Sequence, residues 1–196
     1  FISLGLPDSL LGSAWPVMHK AFQVPLSYAG LVTMIISGGT ICSSLMSERL
    51  TKKFGTQIVT VFSVMLTAIA LFGFSTASAF WMLCLWAIPY GLGAGAIDAA
   101  LNNYVALHYN SRHMSWLHCF WGLGTIISPY VMSYALTTSV WQNGYRMVSF
   151  IQIGIALILF VTLPIWKVNK KETAQEEKAE EKVEVHKKPG MKAAIF

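Results

Sequence analysis

Two carboxylates stand where an apolar chain accommodates them least. Asp98 lies in the middle of IPYGLGAGAIDAALNNYVALHY, residues 88–109, and Asn102 and Asn103 follow it. Asp8 lies in GLPDSLLGS, residues 5–13. A charged carboxylate at the centre of a membrane helix costs about 2.5–3.5 kcal/mol, so an acid kept there points to a solute, an ion or a proton. Apolar surroundings favour the neutral form of a carboxyl, and such a group can take up and give back a proton. The competing reading is a buried acid held by hydroxyls and amides for packing alone. At 3.6 residues per turn Gly91, Gly95, Asp98 and Asn102 form one stripe, and Gly5, Asp8, Gly12 and Trp15 form another. His118, Gly122, Thr125 and Pro129 share a third face, with Trp121 beside them. Aromatic faces and amides suit a sugar-like ligand. Trp15 or Trp121 would stack on it, and Asn102, Asn103 and His118 would hydrogen-bond to it. Taken singly, each aromatic is equally at home as packing or as an interface anchor.

These residues need elements that cross a membrane. The chain has 196 residues, 55% hydrophobic and 12% charged, with mean hydropathy +0.54. Soluble proteins carry about 25% charged residues. The net charge of +5 does not indicate nucleic acid. Most charge sits in a mixed Lys and Glu stretch after residue 166, and no basic face interleaved with aromatics precedes it. Cys42, Cys84 and Cys119 are far apart, without the spacing of a metal site or a disulfide framework. No cofactor motif is present in the sequence.

Six apolar segments approach the roughly 20 residues that span a bilayer. They are 1–18, 27–46, 56–76, 80–107, 114–138 and 147–166. Short connections predict an all-α bundle of adjacent, mostly antiparallel helices. Long continuous runs exclude a β-barrel, whose strands alternate over about 10 residues. Arg49, Lys52 and Lys53 lie in the second connection and Arg112 in the fourth, and Lys167, Lys170 and Lys171 follow the sixth segment. The opposite side has only Lys20 and Arg146. The even-numbered connections are therefore expected in the cytoplasm, with His19, Lys20 and Trp141 at the outer surface. Asp8 precedes His19 by about 16 Å of helix and Asp98 precedes Arg112 by about 21 Å, which puts both near mid-depth. Three regions follow: a six-helix bundle over 1–166, a charged cytoplasmic linker over 167–190, and the start of a seventh segment over 191–196.

The chain also echoes itself. Gly, Asp and Leu match at one constant offset between GLPDSLLGS at residues 5–13 and GAIDAALNN at residues 95–103. GTICS at residues 39–43 is echoed by GTIIS at residues 124–128. The six helices therefore read as two three-helix repeats. Three is odd, so the second repeat is inverted in the membrane. Inverted repeats with a site near the midplane between them mark secondary transporters.

Residues 44–55, SLMSERLTKKFG, resemble the loop motif of the major facilitator superfamily, roughly G-x-x-x-D-R-x-G-R-R. Ser44 replaces the Gly and Glu48 the Asp, while Arg49 and the basic pair Lys52 and Lys53 remain. In that superfamily the loop supports the change between inward-open and outward-open states. The bare alternative is charge that sets topology. The L-P-D of the first segment, the GLGAGAIDAALNN of the fourth and the LHCFWGLGT of the fifth are similar to the fucose permease-like group of sugar:proton symporters. The resemblance covers residues 1–166. It implies that Asp8 and Asp98 serve proton coupling and sugar recognition. His118 stands where fucose permease has a Gln, which leaves the sugar open. It also implies twelve helices in a full member, so the chain reads as an N-terminal half plus linker whose partner is a C-terminal six-helix half.

The expected function is movement of a small solute, a sugar, across the cell membrane by alternating access coupled to protons. Asp98, amid the smallest residues, is the expected proton site, and Asp8 the expected solute contact. One alternative is a drug:proton antiporter. Against it, residues 124–133, GTIISPYVMS, keep the Pro of the antiporter motif and lose the glycines around it. Another is an intramembrane aspartyl protease. Against that, Asp8 follows Pro7 and Asp98 follows Ile97, where that family uses Y-D and G-x-G-D.

Overall fold

In hydrocarbon every backbone N–H and C=O must find a partner within the protein, which drives apolar runs of this length into helices. The computed structural model describes residues 2–163. The linker expected at 167–190 and the segment start at 191–196 lie outside the described residues. The helices are α1 (Ile2–Asp8), α2 (Leu10–Ala21), α3 (Ala29–Phe54), α4 (Thr56–Thr76), α5 (Phe80–His108), α6 (Ser111–Thr138) and α7 (Trp141–Leu163). A single 3-10 turn, Leu26–Tyr28, leads into α3. Among the described residues, five helices, α3 to α7, are long and apolar enough to cross a membrane.

The first expected segment is thus two helices, interrupted at Ser9. Pro7 accounts for the weakness of the ladder there. It has no N–H to offer the carbonyl of Ser3, four residues back. That carbonyl is not left bare, because the Gln152 side-chain amide on α7 donates to it. Pro129 does the same to Thr125 on α6, and the Thr125 carbonyl accepts the Ser9 hydroxyl at 2.8 Å. Two prolines open two backbone bonds, and a side chain from another part of the bundle closes each.

Two connections are shorter than the apolar pattern suggests. α3 runs two turns past the expected end of its segment, and only Gly55, with φ of +87°, separates it from α4. Glu, Arg and Lys are good helix formers, and Glu48 pairs with Lys52 one turn on at 2.6 Å. α7 begins at Trp141, so only Ser139 and Val140 remain of the fifth connection. Trp141 is accordingly buried and not an exposed anchor, its ring 5.5 Å from that of Phe22.

The echoes of the sequence are also echoes of packing. A Cβ on Gly95 would strike the Thr40 carbonyl of α3, and a Cβ on Gly5 would strike the Trp121 carbonyl and the Thr125 nitrogen of α6. Gly5 corresponds to Gly95 and Thr125 to Thr40. In the same way Gly39 lies against Gly91 and Leu92, and Gly124 against Ile2 and Leu6. Helix one of the first repeat therefore packs on helix two of the second, and the reverse pairing uses equivalent residues. Small residues permit such approach where no water drives the helices together. Along α3, Thr40, Ser44 and Ser47 donate to the α5 carbonyls of Gly91, Gly95 and Ala96 at 3.2–3.3 Å, and Ser43 donates to that of Leu92. Leu10, Met18, Val32, Leu71, Leu83 and Met132 fill the interior, while Leu45, Phe62 and Tyr130 present more than 70% of their surface outward. A bundle apolar on its outside suits lipid.

Candidate functional site

Asp8 ends α1 beside the break, so its carboxylate projects where the helix stops. Each oxygen has its own donor. The Tyr90 hydroxyl of α5 reaches Oδ1 at 3.0 Å, and the Trp121 indole N–H of α6 reaches Oδ2 at 2.9 Å. Three helices meet on one side chain. Tyr90 is buried, with its ring 6.0 Å from that of Phe74, so its hydroxyl is fixed in direction. Trp121 is 41% exposed and keeps part of its ring open for stacking.

Asp8, Tyr90, Asp98, His118 and Trp121 line one cavity of about 370 Å³, with Ile36 and Thr40 of α3 also in its walls. That is the low end of the range for small-ligand sites. Asp98 accepts one hydrogen bond, from the Asn102 amide one turn on, at 3.0 Å. Among the described residues no Lys or Arg lines the cavity, so its walls carry acids, one histidine and aromatic rings. Such walls can accept hydrogen bonds from hydroxyls, stack a ring face and hold a proton.

The cavity thus unites Asp8, Asp98, His118 and Trp121, with Asn102 attached through Asp98. Trp15 is elsewhere. It is buried in the core, and its indole N–H donates to the Leu26 carbonyl at 2.7 Å. The shared face that joined it to Asp8 assumed one unbroken helix, and the break at Ser9 ends that register. Asn103 lines a separate polar cavity of about 210 Å³ with Ser44, Ser47 and Glu48, because one residue turns it 100° from Asn102. Arg49, Lys52 and Lys53 are exposed near the end of α3. The setting expected for Asp98 also changes. Gly91 and Gly95 turn toward α3, whereas Asp98 itself is exposed to the cavity, and Asp8 is the more firmly held acid. Tyr90 is the residue that sequence reasoning missed. The available signal was a lone phenol beside the glycine stripe of an apolar helix, since a buried Tyr hydroxyl usually finds a partner.

Comparison with known proteins gives concordant findings. The sequence matches the family model of the Major Facilitator Superfamily over residues 1–195. It is 23% identical over 163 residues to Bypass of stop codon protein 6 of Saccharomyces cerevisiae, covering 82% of this chain and 33% of that protein. It is 22% identical over 179 residues to Glucose/mannose transporter GlcP of Bacillus subtilis, covering 89% of this chain and 43% of that protein. The chain spans less than half the length of either relative.

Proposed function

Because the chain belongs to the Major Facilitator Superfamily, a family of transporters and not of enzymes, we propose that it forms part of a proton-coupled sugar symporter. Its bundle is half of that superfamily's fold. The observation that carries the reading is the meeting of Asp8 and Asp98, matched positions of two repeats, in one cavity with Trp121 and His118. The similarity to a glucose/mannose transporter supports a sugar as the solute.

The two acids have different work in this mechanism. Among the described residues Asp98 accepts a hydrogen bond from Asn102, and its side chain is exposed to the cavity. A proton can enter and leave it without breaking a bond. Both oxygens of Asp8 are occupied, which holds the carboxylate in place to accept hydroxyls of the solute. Solute stacks on Trp121, and the other half of the transporter closes over the cavity from the opposite side. The chain resides in the cell membrane with Glu48, Arg49, Lys52 and Lys53 on the cytoplasmic side. There the turn at Gly55 helps to steady one access state. A cysteine placed at 53 that reacts only from outside intact cells contradicts this sidedness.

The test uses the intact protein in vesicles supplied with radiolabelled hexoses. Asp98→Asn abolishes uphill accumulation driven by a proton gradient and retains counterflow of pre-loaded sugar. Asp8→Asn weakens binding and lowers both. Accumulation by Asp98→Asn under a proton gradient overturns the assignment. Accumulation that follows a sodium gradient, or proton release in exchange for solute, overturns proton symport itself.

A further inference from the structure

An apolar crevice of about 280 Å³ lies on the other side of α5 from the transport cavity. Its walls are Leu50 and Phe54 of α3, Ile58 and Phe62 of α4, and Ala96 of α5. Ala96 points away from Ala94 and Asp98, which face the transport cavity, because two residues along a helix turn the side chain by 200°. The crevice is therefore separate from the solute path. Its outer rim continues into the bulky apolar stripe of α4. Phe62 is 73% exposed there, and Ile69 and Phe72 are also exposed. A membrane surrounds such a stripe with acyl chains.

Charge lies beside the crevice, on the neighbouring stripe of α3. Leu50 and Phe54 are one turn apart on α3, and Arg49 and Lys53 form the adjoining stripe, also one turn apart. Lys53 Nζ lies 5.3 Å from the centroid of the Phe54 ring, so the ammonium is held above a wall of the crevice itself. Lys52 is neutralised by Glu48 at 2.6 Å, and Arg49 and Lys53 supply the net positive charge. The apolar slot runs into the span from the α3–α4 turn, with Lys53 over the Phe54 ring at that turn and Arg49 one helical turn before it on α3. That order matches the order of groups in an anionic phospholipid, phosphate outside and hydrocarbon inside.

We propose that this crevice is a binding site for one anionic phospholipid of the surrounding bilayer. An acyl chain lies between Phe54, Ile58 and Phe62, and the phosphate is held by Arg49 and Lys53. The site joins α3 to α4 across the single residue Gly55, so an occupied crevice braces the turn that links them. Charge complementarity selects the headgroup, and buried methylenes supply affinity regardless of headgroup.

The experiment is native mass spectrometry of the intact, delipidated protein in detergent, titrated with dioleoyl phosphatidylglycerol or dioleoyl phosphatidylcholine. The wild type retains phosphatidylglycerol in preference to phosphatidylcholine. Arg49→Gln with Lys53→Gln reduces that preference by about fivefold for each charge removed. Ile58→Trp fills the slot and lowers retention of both lipids. Phe62→Ala removes a wall at an exposed position and lowers retention as well, which keeps the test open if Ile58→Trp fails to fold. Equal retention of the two lipids by the wild type overturns the proposal. So does a preference that survives the double Gln variant, or retention unchanged in both crevice variants, as when another helix occupies the slot.

Discussion

Gly5→Ala and Gly95→Ala destabilise the bundle together, and Gly122→Ala does not. A Cβ at Gly95 falls within 3.0 Å of three atoms of Thr40, all of them backbone. Backbone cannot rotate away as a side chain can, so α3 and α5 must part by roughly 0.5–1 Å, enough to forfeit a quarter to a half of their contact attraction. The hydroxyl bonds between them already stand at 3.2–3.3 Å. Separation on that scale carries all three beyond hydrogen-bond range. At about 0.6 kcal/mol each in a membrane protein they account for about 2 kcal/mol. Overpacking adds about 1–3 kcal/mol, and the better helix propensity of Ala returns about 1 kcal/mol. The net loss is about 2–4 kcal/mol. The same clash awaits Gly5→Ala against Trp121 and Thr125. At Gly122 a Cβ meets nothing within 4 Å, so only the propensity gain remains. The assay is thermal unfolding of the detergent-solubilised intact protein, all variants heated at one rate. Gly95→Ala melting at or above Gly122→Ala refutes the tight interface. Gly95→Ala and Gly5→Ala responding in opposite directions refutes the equivalence of the two repeats.

Tyr90→Phe keeps the buried ring and removes one of the two donors on Asp8, a charge-assisted bond worth about 1.5–3 kcal/mol. Part of that loss reaches the solute, so KM for uptake rises about three- to tenfold, and the remainder lowers the melting midpoint; a wild-type KM counts against Asp8 as the solute anchor. Trp15→Phe loses the bond to the Leu26 carbonyl and lowers stability by about 1 kcal/mol, while KM stays put. A raised KM in that variant restores Trp15 to the site.

The period of the apolar pattern made the helices legible, and the echo of Gly, Asp and Leu made the paired acids legible. What the pattern hid was local. Pro7 announced a weak ladder, but not that the chain would break at Ser9 and turn Trp15 into the core. Asn102 and Asn103 look interchangeable in a string, yet only Asn102 reaches Asp98, because neighbours on a helix point in different directions. The end of α3 carried charge that reads equally as a loop or as a solvated last turn, and the Glu48–Lys52 pair decides for the helix. Asp98 was expected to be the most enclosed acid because small residues precede it. Those residues serve the neighbouring helix, which is why their density says nothing of the room around Asp98.

The Ser3 carbonyl, opened by Pro7, also imposes an order on synthesis. The Ser3 carbonyl waits for Gln152, 149 residues downstream, and the Ser9 hydroxyl waits for Thr125, 116 residues downstream. At a translation rate of roughly 5–20 residues per second, helix one spends on the order of 10–30 s in the membrane before its partner on α7 exists. During that interval it holds a bare acceptor in a medium with no water to satisfy it. Arrival of α7 is thus the event that closes the ladder of α1.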